Sequence, residues 1–185
     1  VHYQDIEPII YDIIHCKNCL YTALREYYPK AAVNAHYFIQ KMQPLKMAMM
    51  KFPMDKLKYS IDDVFFAYYF ALSCVEDCFI EDRILAYAKL WMRISWLYAD
   101  CRDSEMEKYA LGKAHTYFMQ AYGFSKPDDK HLQQLMITTG VVCYKVGDKM
   151  NGLKLLAAAV TVPDGTDARK EKARELWKKY KDLPK

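Results

Sequence analysis

The placement of glycine and proline constrains this chain more than any other feature. All six glycines lie at or after Gly112, while the first 111 residues carry four prolines and no glycine, so the two halves are punctuated by different means. In the front, Pro8, Pro29, Pro44 and Pro53 cut the chain into an opening segment ending near Pro29 and helical runs around Ala31 to Met42 and Leu45 to Met50.

From Ser60 the signals strengthen. Ser60 followed three residues later by Asp63 resembles a capping box, and the acids of the first turn suit the positive end of a helix dipole. Over Val64 to Phe79 the apolar residues cover nearly every face, as a helix packed between neighbours requires. Arg83 to Ala99 places Leu85, Ala88, Met92 and Trp96 or Ala99 on neighbouring turns and reads as an amphipathic helix. Asp103 or Ser104 caps a further helix over Glu105 to Tyr122, which Gly123 is expected to stop. Helices follow over Asp129 to Lys145, Lys149 to Val160 and Thr166 to Lys181, and no alternating strand of useful length follows residue 20. The expected fold class is all-α, with a short irregular N-terminal segment over 1–29 and a helical domain over 30–185.

Helices of this size joined by short turns invite comparison of the chain with itself. Met136, Gly140, Cys143, Gly147-Asp148, Gly152, Leu156, Ala159 and Pro163 have separations resembling a tetratricopeptide repeat of about 34 residues, whose small residues let paired helices approach closely. Trp91, Ser95 and Tyr98, then Ala114, Phe118, Ala121 and Pro127, look like an earlier repeat whose inter-helix segment is about seven residues too long, in a helix or in the turn. The fold is then an α-α superhelix of antiparallel hairpins, closed by a capping helix with Ala173, Leu176, Trp177 and Tyr180 on one stripe. Stacking of such hairpins leaves a concave groove lined by the first helices. Lys89, Trp96, Gln134, Tyr144 and Lys145 are the candidate groove residues for an extended or acidic peptide; Met92, Ile137 and Val141 read better as core.

Composition bounds the alternatives. With 52% hydrophobic and 27% charged residues, disorder, collagen and a coiled-coil rod are excluded. A net charge of +4 is far below what a nucleic-acid binder concentrates on one face, and the basic excess after Asp164 is interleaved with acids, as on a solvated helix face. The richest apolar stretch, Ile61 to Phe79, is broken by Asp62, Asp63, Glu76 and Asp77, so no membrane span is expected. Modest cysteine usage, with Cys74, Cys78, Cys101 and Cys143 inside apolar periodic segments, points to a reducing cytosol.

The opening segment carries the one metal-like motif. Cys16-Lys17-Asn18-Cys19 has the gap that lets two thiolates meet one tetrahedral zinc ion; it reads before that as a reduced structural pair, and after it as a redox dithiol. The run Tyr11-Asp12-Ile13-Ile14-His15-Cys16-Lys17-Asn18-Cys19-Leu20-Tyr21-Thr22-Ala23 resembles the second Cys-x-x-Cys knuckle of an uncharacterised bacterial family, catalogued as domain of unknown function 2225. In that family a zinc-ribbon-like beginning precedes a tetratricopeptide-like helical region, and Leu90 to Tyr98 resembles its first-repeat helix. The resemblance implies that Cys16 and Cys19 match half of a zinc site whose other Cys pair lies upstream of Val1. Leu20 stands where the family's usual glycine follows the second Cys. The family lends no activity.

Enzyme motifs are missing: the glycines never cluster into a phosphate loop, and there is no His-Glu-x-x-His and no G-x-S-x-G elbow. His115 and Glu107, eight apart on one helix, do not meet directly. The 16 tyrosines read as amphipathic core residues before they read as base-stacking platforms. The expected function is a non-enzymatic scaffold that binds a partner protein. The alternative is a zinc-dependent regulatory or nucleic-acid-associated module whose ribbon is truncated here.

Overall fold

Ser60 and Asp63 cap each other as their types and spacing require: Ser60 N donates to Asp63 Oδ2 at 2.9 Å and Asp63 N donates to Ser60 Oγ at 3.2 Å. In the computed structural model of the chain, which describes residues 8–16, 18–30, 35–43, 60–77, 82–126 and 130–183, this cap opens the central helix of the first of two units. The units are Val1–Leu97 and Tyr98–Lys185. The helix expected over Leu45 to Met50, and Cys78, lie outside the described residues.

In the first unit the opening segment is less irregular than its sequence implies. A 3₁₀ turn over Pro8–Asp12 leads into β1 (Ile13–His15), which pairs antiparallel with β2 (Thr22–Leu24) in the register Ile13 to Leu24, Ile14 to Ala23 and His15 to Thr22. Three-residue strands are too short to show alternation, which is why the sequence pattern misses them. α1 (Ala35–Met42) buries Phe38 edge-on to Tyr21. α2 (Ile61–Asp77) buries Tyr68, Ala71 and Cys74 completely, while Phe66 and Ser73 reach solvent. The hairpin packs on α2, and Tyr68 Oη donates to Ile9 O at 2.7 Å. α3 (Arg83–Asp100) sends Arg93 to the Asp12 carboxylate and Trp91 edge-on to Tyr69 of α2. The segment before residue 30 is thereby tied to the helices of its own unit.

The second unit holds α4 (Ser104–Phe124), α5 (Leu132–Lys145), α6 (Lys149–Val160) and α7 (Asp167–Lys181). Their N-caps are Asp103, His131, Asp148 and Thr166; in all but α5 the side chain accepts a backbone N–H three residues on. Gly123 does not stop α4. It stays helical, the helix runs to Phe124, and Ser125 closes it by donating from Oγ to Tyr122 O at 2.7 Å.

α5 and α6 form the tightest pair. A Cβ added to Gly140 would lie 3.0 Å from Gly152 O, and one added to Gly152 would lie 2.8 Å from Gly140 O, so both glycines are needed for the backbones to touch. Met136, Ile137, Cys143, Leu155, Leu156, Ala159 and, from α7, Ala173 make one core cluster. No described helix is long and apolar enough to cross a membrane.

The turn after α3 and the turn after α5 are the same structure. Arg102 N donates to Ala99 O and Asp103 N to Tyr98 O; Gly147 N donates to Tyr144 O and Asp148 N to Cys143 O. Each is a Schellman closure whose left-handed residue is Arg102 (φ +59°) in one case and Gly147 (φ +93°) in the other. The two turns being alike, the seven-residue difference between the two sequence patterns falls in helix, about two turns at 3.6 residues each. Consistent with this, α4 has 21 residues where α6 has 12. Arg102 occupies exposed backbone that favours glycine, so Arg102→Gly should raise stability by about 0.5–1 kcal/mol, read as a higher urea midpoint at unchanged slope.

Candidate functional site

Two features carry chemistry: the Cys16–Cys19 turn of the first unit and the helix faces of the second. The turn joins β1 to β2. Cys16 N donates to Tyr21 O, and Leu20 N donates to Cys16 O, both at 2.8 Å. Leu20 takes a left-handed φ of +66°, backbone that favours glycine.

The two sulfurs differ. Burial pushes the Cys16 thiol up, but the N–H groups of Cys19 and Asn18, the Cys19 thiol and the Tyr28 hydroxyl outweigh it and bring Cys16 below the ordinary thiol range. Cys19 is held above that range, by burial first, then by its bond to Cys16 and by the Cys16 charge. Tyr28 is pushed up to about 12 by burial and by its bond to Cys16. The pair thus presents one more acidic sulfur and, beside it, a thiol that hydrogen-bonds to it. That arrangement suits metal ligation or thiol exchange.

His15, adjacent in sequence, is occupied elsewhere. Its Nδ1 bonds Thr22 Oγ1, which itself donates to Leu20 O at 3.1 Å, so Nδ1 carries the proton; burial lowers the ring pKa to about 4. Among the described residues no third His, Cys, Asp or Glu donor joins Cys16 and Cys19. The two cysteines fit half of a four-donor zinc set.

The groove candidates divide between the units. In the first, Lys89 Nζ bonds Glu26 Oε2 at 2.7 Å and lies over the Tyr27 ring, whereas Trp96 is 43% exposed. In the second, Gln134 donates to Thr138 Oγ1 at 3.2 Å, Lys145 is exposed, and Tyr144 stacks on Tyr180 of α7 with ring centroids 4.0 Å apart. Gln134 lies near one end of α5 and Tyr144 and Lys145 at the other, about 15 Å away at 1.5 Å per residue. A ligand touching all three must be extended.

A feature the sequence pattern did not single out is a shallow furrow between α4 and α6, about 260 Å³, lined by Met119, Tyr122, Asn151, Lys154, Leu155 and Ala158. It falls below the roughly 300–1,000 Å³ of small-molecule sites. Its residues come from α4 and α6, and apolar spacing along a helix cannot separate a furrow wall from core.

An all-α chain fronted by a dithiol β-turn is the class these observations define. The family model for an uncharacterised protein conserved in bacteria (DUF2225) matches residues 1–180, and the chain belongs to that family. No curated protein and no solved structure matches the chain.

Proposed function

We propose that the chain is a non-enzymatic, cytoplasmic scaffold of tetratricopeptide-like hairpins that binds an extended peptide or helix of a partner protein. The supporting observation is the α5–α6 hairpin itself. Its two helices touch through Gly140 and Gly152, its turn is closed by Gly147, and the same turn recurs at Arg102. Hairpins built this way serve elsewhere as stacking units that present one helix face to ligands. The exposed Trp96 and Lys145 supply the aromatic and cationic contacts that interface hot spots favour.

The test is affinity capture from a bacterial lysate with the full chain, comparing the parent with a Trp96→Ala and Lys145→Glu double variant. A partner retained by the parent should be lost at least about tenfold by the variant, as expected for a hot-spot side chain worth more than 1 kcal/mol. Equal retention by both proteins would remove these residues from the interface. The absence of any partner above background would remove the scaffold.

A second reading, a zinc-dependent regulatory or nucleic-acid-associated module, is favoured by the depressed thiol of Cys16 beside Cys19. It requires stoichiometric zinc in an N-terminally extended chain and a steep salt dependence of any RNA or DNA binding.

A further inference from the structure

The Schellman closure that ends α5 does more than turn the chain. By bonding Asp148 N to Cys143 O at 2.9 Å, it fixes the α6 N-cap carboxylate beside the last buried thiol of α5. α4 brings His115 to the same place. One donor atom from each of His115, Cys143 and Asp148 lies within 4.8 Å of the other two.

Three observations on this cluster point to a ligand between these atoms. His115 Nε2 is sealed from solvent and makes no hydrogen bond among the described residues. Its neighbour, Asp148 Oδ2, is 3.7 Å away, too far for a hydrogen bond but close to the spacing of two donors on one ion. Zinc bonds of about 2.0–2.3 Å in tetrahedral array place their donors about 3.3–3.8 Å apart. Finally, the carboxylate is held in place by Asn151: its Nδ2 donates to Oδ2 at 2.9 Å and its N to Oδ1 at 3.4 Å, the outer support that metal carboxylates have.

A Cys-His-Asp catalytic triad is the competing reading of the same three residues, and the geometry opposes it. In a relay the carboxylate sits on the far side of the imidazole from the nucleophile, whereas here carboxylate and thiol adjoin. Cys143 has no exposed surface with which to meet a substrate. Burial, then the Asp148 charge, push its thiol up to about 11, away from nucleophilic thiolate.

We propose that His115, Cys143 and Asp148 form a binding site for a divalent transition-metal ion of the zinc class, with water as fourth ligand. The ion enters past His115 and Asp148, whose side chains are 26% and 29% exposed, and the buried Cys143 closes the site from within. On binding, the thiol proton leaves to solvent and the sulfur–metal bond takes its place. The ion would pin α4 to the α5–α6 turn. This site is separate from the Cys16–Cys19 turn and stands whether or not the scaffold reading does.

The experiment uses the full chain with Cys16→Ser and Cys19→Ser, titrated with Co(II) and then Zn(II). One equivalent of Co(II) should give a thiolate-to-cobalt charge-transfer band and tetrahedral visible absorption, both abolished by Zn(II). His115→Gln and Asp148→Asn should each lose the band. Asparagine still caps α6, so the latter fold is retained. Asn151→Ala should bind about 10–100-fold more weakly. Absence of the band in the parent, or its survival in both His115→Gln and Asp148→Asn, overturns the site, and neither outcome depends on a foldable Cys143 variant.

Discussion

Alanine at Gly152 should cost about 1–3 kcal/mol of stability, while alanine at Gly112 should add about 0.5–1 kcal/mol. The two glycines are both helical and both in the second unit, so the contrast isolates the neighbour each would meet. A Cβ at Gly112 finds nothing within 4 Å, and only the propensity gain of alanine over glycine remains. A Cβ at Gly152 would sit 2.8 Å from Gly140 O and 3.0 Å from Tyr144 N. Both are backbone atoms of α5, so no rotamer change relieves them. Relief requires the two helices to part, and parting opens the contacts of Leu155 and Leu156 with Met136 and Ile137. Urea unfolding at matched slope measures both variants. Stabilisation at both positions would mean that α5 and α6 do not meet through their glycines, and the repeat-hairpin reading would go with it.

That contact was legible in the sequence because glycine at the two crossing positions has few other uses in mid-helix. The caps at Ser60 and Asp103 were legible for a similar reason: a short polar side chain followed by an apolar period fixes a helix start locally. Gly123 shows the limit of such signals. A glycine near a helix end reads as a stop, yet the stop is made two residues later by a serine hydroxyl. Leu20 and Arg102 show the converse, since both take left-handed backbone with no glycine to mark it. Their turns are imposed by what flanks them: the paired strands in one case, the Schellman bonds in the other. The His115, Cys143 and Asp148 cluster was beyond reach for a different reason. Only Cys143 and Asp148 are neighbours along the chain, and His115 joins them through packing, which single-sequence periodicity does not encode. Lys89, read from helix register as a groove residue, also bonds Glu26 and lies over Tyr27, residues of a segment whose path no periodicity announced.

Gln133→Leu should be among the most damaging single changes in the second unit, at about 2–4 kcal/mol. Gln133 is 2% exposed, and its one amide serves two helices: Nε2 donates to Ala159 O at 3.1 Å in the last turn of α6, and Oε1 accepts from Thr166 N at 3.0 Å at the cap of α7. Leucine fills similar volume but leaves a buried carbonyl and an N–H without partners. That makes the loss one of satisfaction rather than packing. Glutamate should be worse at neutral pH, because it sets a second acceptor against Ala159 O and buries a charge. Gly165 supplies the internal check. A Cβ there would come within 2.5 Å of Gln133 Nε2, so Gly165→Ala should act by expelling the same amide. If so, the double variant Gly165→Ala, Gln133→Leu costs less than the two singles together by 0.5 kcal/mol or more, whereas strict additivity would show that Gly165 acts through some other contact. Amide hydrogen exchange locates the damage. Protection should fall first along α7, which is held to the hairpin by this amide, by Ala173 in the core and by the Tyr144–Tyr180 stack, while α5 and α6, locked through Gly140 and Gly152, keep theirs.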